Sequence, residues 1–308
     1  MMKQLTNRFP LSRSLAALAS VAAVVGVAAW AASQPATSLA STCSSGYYTS
    51  TNCPGYWIAT QSGHVYQFGH APFEGSPWSR GYRGDNVVSL AASPTGAGYW
   101  TLTANDRIFA FGDAPFAGSP YGFGYRVPNA VGLAPAPSGH GYWEVTANGR
   151  VFQFGGAGFF GSPYQRGYGI TNFVGIAATP DGGGYWLVTA DGRAFGFGDA
   201  GFFGSPYQHH YGLTDAVALQ GTSTGMGYWF ETANGRMFQF GDAGFFGSPY
   251  HSGMRVTDFV GFAPTTDSQG YWVATANGRV FGYGDAPFQG SPFHSGLNIT
   301  DAVAIARS

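Results

Sequence analysis

The segment GYWLVTADGRAFGFGDAGFFGSP, residues 184–206, decides the reading of this chain, because variants of it occur six times. Its opening Gly-Tyr-Trp recurs from Gly55, Gly98, Gly141, Gly184, Gly227 and Gly270, always 43 residues apart, without one insertion or deletion. In the same phase stand Thr60, Thr103, Thr146, Thr189, Thr232 and Thr275, and Gly-Ser-Pro triplets that start at Gly75, Gly118, Gly161, Gly204, Gly247 and Gly290. A repeat of this length with aromatic and glycine markers is that of a propeller blade; helical repeats need long 3.6-residue periodicity, which is absent.

Working outward, the copy that begins at Phe173 reads as four strands. Residues 173–178 are an apolar run suited to an inner strand, 179–183 form a turn, and 185–189 form a second strand. Asp191-Gly192, with its counterparts Asn148-Gly149, Asn234-Gly235 and Asn277-Gly278, predicts a type I′ hairpin with positive φ at both central residues. Residues 193–197 are the third strand, and 202–205 are expected to be the fourth, ended at an outer edge by Pro206, which has no N–H to donate. The first copy lacks an inner strand, and residues 302–306 match that strand in phase. The expected fold is therefore all-β: a six-bladed β-propeller over residues 55–308, its ring closed by the C-terminal strand joining the first blade. An open solenoid of the same units is the alternative.

The segment before the repeats differs. Lys3, Arg8 and Arg13 precede an apolar run from Leu15 to Ala32, which reads as a signal peptide within residues 1–40, with cleavage at about 31–40; an uncleaved membrane anchor is the alternative. Cys43 and Cys53, the two cysteines, are then expected to close one disulfide in an N-terminal loop, residues 41–54; lipidation of Cys43 is the weaker reading, and two thiols are too few for structural zinc. Without the leader, eleven arginines face fifteen acidic residues, a formal charge of −4 that leaves no basic patch for nucleic acid. The chain is expected to be a secreted or cell-surface monomer with no membrane span after cleavage and no cofactor.

The recurrent Tyr-Trp and the Phe residues of the third and fourth strands are expected to form inter-blade core, with a sugar-stacking platform as the other reading. Asp113, Asp199, Asp242 and Asp285 are expected to accept backbone N–H groups in a turn, a weaker alternative being calcium. Arg107, Arg150, Arg193, Arg236 and Arg279, with His64 in the first copy, should ring one face, paired with a turn carboxylate or stacked over an aromatic ring, or else free for a ligand. The loops after Gly-Ser-Pro diverge most between copies, and recognition is expected there. The candidate ligand residues are Arg80, Tyr82, Arg83, Tyr125, Arg126, Arg166, Tyr168, His209, His210, Tyr211, His251 and His294. His251 and His294 lie one blade apart, too far to share an ion without loop bending, so no metal site is expected.

No insertion breaks the symmetry as an active site would. Among the acids outside the repeat pattern, Glu74, Glu144, Glu231, Asp106, Asp181 and Asp267, the pair Glu144 and Glu231 differ by one residue in phase and point to opposite sheet faces. Neither a Ser-His-Asp pattern nor the Ser-x-Asp-x-Gly-x-Thr-Trp box of sialidases appears.

The recurring Gly-Tyr-Trp-x-x-Thr-x-x-Gly-Arg-Val-Phe-x-Phe-Gly-Asp-Ala-x-Phe-x-Gly-Ser resembles a repeat of exported actinobacterial proteins, found alone or beside cell-wall hydrolase domains, and it covers residues 55–308. Val174-Gly175-Ile176-Ala177 with Pro180-Asp181-Gly182 and Tyr185 is more loosely similar to NHL-type propeller repeats. The resemblance carries no shared catalytic residues, and His64, His70 and Gly156 depart from its pattern. The expected function is non-catalytic: binding or scaffolding toward a cell-envelope glycan or protein. An extracellular polysaccharide hydrolase or lyase with an axial site and an accessory subunit of an envelope complex are the alternatives.

Overall fold

A computed structural model describes residues 54–125 and 129–308. The expected signal peptide and the Cys43–Cys53 loop lie outside these residues, as does Arg126. Eighteen strands form six three-stranded antiparallel sheets among the described residues. Blade 1 consists of β1 (Tyr56–Thr60) and β2 (Val65–Phe68), completed by β18 (Ala302–Arg307). Blade 2 is β3 (Val87–Ala92), β4 (Gly98–Thr103) and β5 (Ile108–Gly112); blade 3 is β6 (Ala130–Pro135), β7 (Gly141–Thr146) and β8 (Val151–Gly155). Blade 4 is β9 (Phe173–Ala178), β10 (Gly184–Thr189) and β11 (Ala194–Gly198); blade 5 is β12 (Ala216–Gly221), β13 (Gly227–Thr232) and β14 (Met237–Gly241). Blade 6 is β15 (Phe259–Pro264), β16 (Gly270–Thr275) and β17 (Val280–Gly284).

The ring closes as the phase of the repeat requires. β18 pairs with β1, setting Trp57 opposite Ala306 and Ile58 opposite Ile305. Every residue of the six middle strands is buried, because each blade is covered on both faces by its neighbours. Alternation within the strand sends Tyr one way and Trp the other. Each seam therefore joins the Trp of one blade to the Tyr of the next: Trp143 to Tyr185 at 5.5 Å, Trp186 to Tyr228 at 5.7 Å, and, across the closure, Trp272 to Tyr56 at 5.5 Å. Such a ring pair adds about 0.5–1.5 kcal/mol beyond its area burial.

The expected fourth strand does not form. The stretch 199–206 runs back along the blade without a ladder, since its glycines and Pro206 suit irregular backbone and side chains meet its polar groups instead. Trp186 Nε1 donates to Gly201 O at 2.7 Å from the same blade, and the next blade's Tyr228 donates its hydroxyl to Gly204 O at 2.6 Å while accepting Phe203 N–H at 3.1 Å. The indole bond recurs in all six blades, to Pro72, Pro115, Gly158, Gly201, Gly244 and Pro287. Gly204 holds φ 120°, and a Cβ there would stand 2.8 Å from Phe240. The third-to-fourth-strand aromatics accordingly divide: Phe160, Phe203 and Phe246 pack on Tyr185, Tyr228 and Tyr271 in the seams, whereas Phe159, Phe202 and Phe245 are exposed.

The hairpin between middle and third strands also differs from the expected type. Gly149, Gly192, Gly235 and Gly278 take positive φ but the preceding Asn or Asp does not, so the turn is not type I′. Gly192 N–H bonds Thr189 O at 2.9 Å, Thr189 N–H bonds Arg193 O at 3.1 Å, and Arg193 N–H bonds Thr189 Oγ1 at 3.0 Å. This is the three-residue loop with one left-handed glycine, and the repeated threonine supplies its side-chain acceptor.

Candidate functional site

The loop after each Gly-Ser-Pro is a short turn of helix-like bonding, started by the serine. Ser162 Oγ accepts Gln165 N–H at 3.1 Å and Ser162 O accepts Arg166 N–H at 3.1 Å; Ser205, Ser248 and Ser291 cap Gln208, His251 and His294 in the same way. Serine as cap and proline in the first position explain why this triplet recurs. The loops are thereby held rigidly on the face that also carries the middle-to-third-strand turns: Tyr164 N–H bonds Gly149 O at 3.2 Å.

On that face the arginine ring is a ring of stacked pairs. The guanidinium of Arg107 lies 4.0 Å from the Tyr121 ring centre, Arg150 4.3 Å from Tyr164, Arg193 4.1 Å from Tyr207, Arg236 4.2 Å from Tyr250 and Arg279 4.2 Å from Phe293. In blade 1 His64 stacks on Trp78 at 4.4 Å, and burial lowers its pKa. Arg193 also makes an ion pair with Asp191 at 3.2 Å. Arg236 donates to the Tyr250 hydroxyl at 2.8 Å, which holds that phenol below its usual pKa. Stacking thus orients the cations without neutralising them, the stacked alternative expected from the repeat.

The candidate loop residues share this face. Arg80 lies over Phe111 at 4.1 Å, Arg166 over Phe197 at 4.8 Å, and His209 stacks on Phe240 at 5.8 Å, each reaching the third strand of the next blade. Tyr82, Tyr125, Tyr168 and Tyr211 likewise pack on Phe109, Phe152, Phe195 and Phe238. Arg83 also lies over the Trp78 ring, at 3.7 Å. His210 is exposed at φ 57°, and His251 and His294 meet Phe245 and Phe288 edge-on at 5.7 and 5.5 Å. Among the described residues no three His, Cys, Asp or Glu side chains come together as a metal-holding group.

The acids outside the repeat pattern occupy separate places. Glu144 faces blade 2 from β7 and meets Asp106 of the blade 2 turn; burial and this second acid push its carboxyl up to about 10. Asp106 stands at φ 64° where the other copies have glycine; Ala130 follows it in blade 3, at the phase where Phe173 would be 2.6 Å from a Cβ at Gly149. Glu231 is fully buried toward blade 6; neither oxygen has a hydrogen-bond partner, and burial raises its pKa. Two of the turn aspartates accept hydroxyls where backbone N–H groups were expected: Thr95 Oγ1 donates to Asp113, and Thr222 Oγ1 donates to Asp242 at 2.9 Å.

Three features escaped sequence reasoning. The Arg–aromatic pairs lie 14 residues apart in every copy, a constant offset that comparison of phases could have found. Asp106 and Glu144 are both departures from the repeat, but their meeting across a seam needs the ring. Phe73, Phe116, Phe159, Phe202, Phe245 and Phe288 are all at least 40% exposed, although their composition suggested core.

No family model and no curated protein matches the chain. Among solved structures it is similar to a chain in a nidogen–laminin complex, with TM-score 0.50 and 10% identity over 83% of this chain and 98% of that one. It is also similar to the β-propeller domain of Cps50 (Swd1) from Myceliophteria thermophila, with TM-score 0.44, 10% identity and 64% of each chain covered. At this identity the first similarity speaks for the β-propeller fold alone.

Proposed function

We propose that the chain is a non-catalytic, exported binding or scaffold protein that presents its loop face to a cell-envelope glycan or protein partner. The observation that carries this reading is the ring of six aromatic side chains, each with a cation or imidazole stacked on it, held on serine-capped loops. Preorganised rings with adjacent donors suit sugar faces or peptide surfaces, and sixfold display favours several weak contacts at once. The likeness of the repeat to exported actinobacterial repeat proteins supports the same setting.

Against an axial hydrolase or lyase stand two features. Glu144 and Glu231 lie in different seams, and the narrow part of the axis, a cavity of about 90 Å³, is lined mainly by Val88, Val131, Val174, Val217 and Val303 with their apolar neighbours. The accessory-subunit reading gains from one observation, the six repeated exposed phenylalanines, which would suit a protein neighbour. An array of bacterial and host glycans together with an envelope pull-down tests these readings. Saturable glycan binding weakened by Tyr168→Ala or Arg166→Ala supports the leading one. A single protein partner lost on Phe202→Ser with no glycan binding favours the subunit, and consumption of an arrayed substrate overturns both.

A further inference from the structure

The face opposite the loops opens at the axis into a cavity of about 320 Å³, lined by the ends of the inner strands and the turns that follow them. Around most of this ring the repeat is apolar: Ala91, Ala134, Ala177, Ala263 and Ala306 at one level, Pro94, Pro137 and Pro180 at another. Three consecutive blades break the pattern. Gln220 replaces the alanine and Ser223 the proline in blade 5, Thr266 replaces the proline in blade 6, and Arg307 of β18 stands where other copies have Ala92, Pro135, Ala178, Gly221 and Pro264. All four substituted residues line the cavity.

A fifth departure ties them together. Ser268 occupies φ 62° where Gly96, Gly139, Gly182 and Gly225 occupy 71–74°. A serine in the left-handed region is strained, and strain of this kind gathers at functional sites. Its Oγ accepts Ser223 N–H at 2.8 Å from the neighbouring blade, while Arg307 Nη1 donates to Thr266 Oγ1 at 2.8 Å. Among the described residues no carboxylate lies within ion-pair distance of Arg307. Asp267, the nearest acid in sequence to Thr266, is bonded by Thr265 Oγ1 at 2.9 Å instead. Burial lowers the pKa of Arg307, with no opposing charge to raise it.

We propose that this sector of the axial cavity, Arg307 with Gln220, Ser223, Thr266 and Ser268, binds a small hydroxylated carboxylate, in chemical class a sugar acid. A single guanidinium suits a monoanion and presents the paired N–H groups that a carboxylate accepts. A dianionic phosphate would call for further cations or a backbone nest, and the cavity lining supplies no second cation. The hydroxyls and the amide match ligand hydroxyls, the alanine and proline wall takes its C–H face, and the volume is that of a small-ligand site, which begins at about 300 Å³. This site is independent of the loop face, so either can fail without the other.

Calorimetric titration of the full chain with D-glucuronate, D-glucose and inorganic phosphate tests the assignment. Glucuronate is expected to bind saturably, glucose at least about tenfold more weakly, and Arg307→Gln to weaken glucuronate by about tenfold or more, as loss of a charge-assisted pair does. Thr266→Val, which leaves the guanidinium in place but unanchored, should weaken it by about threefold, and Gln239→Ala on the exposed outer strand β14 should leave it unchanged. Should Arg307→Gln fail to unfold cooperatively on heating, Thr266→Val decides. Glucuronate binding no tighter than glucose, unaffected by both variants, or weaker than phosphate overturns the proposal.

Discussion

The two faces of the ring treat departures from the repeat differently. On the loop face Arg80, Arg166 and His209 stand at one phase and each stacks on the same Phe of the next blade, so that the variants are interchangeable fillings of one place. At the axis of the other face Gln220, Ser268 and Arg307 depart at three different phases, Ser223 and Thr266 share a fourth, and all five meet in one sector. Within a repeat, residues held in phase serve packing, variation at one phase is tolerated diversity, and convergence of different phases marks a specific contact. The Asp106–Glu144 seam is a second convergence, this one buried.

The contrast breaks most sharply if an in-phase residue proves dispensable. Trp186→Ala removes a fully buried ring and its bond to Gly201 O, and should cost about 3–5 kcal/mol in denaturant unfolding. The buried acids come next. The folded pKa of Glu144 lies far above that of the unfolded chain, so its contribution is most favourable below about pH 4 and is lost as pH rises toward the folded value of about 10. Stability should fall across this window by up to about 1.4 kcal/mol per pH unit for each such carboxyl. Glu144→Leu, the residue blade 4 carries as Leu187, should flatten this slope and raise the unfolding midpoint at pH 8.

Tyr185→Phe sharpens the account of the missing fourth strand. It removes the hydroxyl that donates to Gly161 O at 2.6 Å and accepts Phe160 N–H at 3.3 Å, and should cost about 1–2 kcal/mol in the same unfolding assay. Smallest is Arg150→Ala on the loop face, where loss of the stack on Tyr164 should change stability by less than about 1 kcal/mol while weakening loop-face binding.

Much of the fold was legible because a 43-residue phase without gaps leaves little freedom: blade number, the buried Tyr-Trp strand and closure by residues 302–306 all follow from it. The fourth strand was misread because Phe202–Ser205 has strand-like composition, while the bonds that fix it come from Trp186 in its own blade and Tyr228 in the next. The hairpin type was misread because Asp191-Gly192 fits both a two-residue and a three-residue loop, and the Thr189 hydroxyl selects the latter. The loop residues of the candidate site could be named from their variation, but their stacking partners lie in the next blade. The axial sector was invisible, since Gln220, Thr266 and Arg307 meet only once the ring is closed.

Backbone hydrogen exchange of the full chain, measured with and without cell-envelope fragments, tests the binding claim most directly. Slowed exchange is expected in the loops at residues 78–83, 164–168, 207–211 and 250–255, with the buried middle strands unchanged. Unaltered exchange in those loops, with new protection confined to the exposed phenylalanine segments or absent altogether, would contradict it.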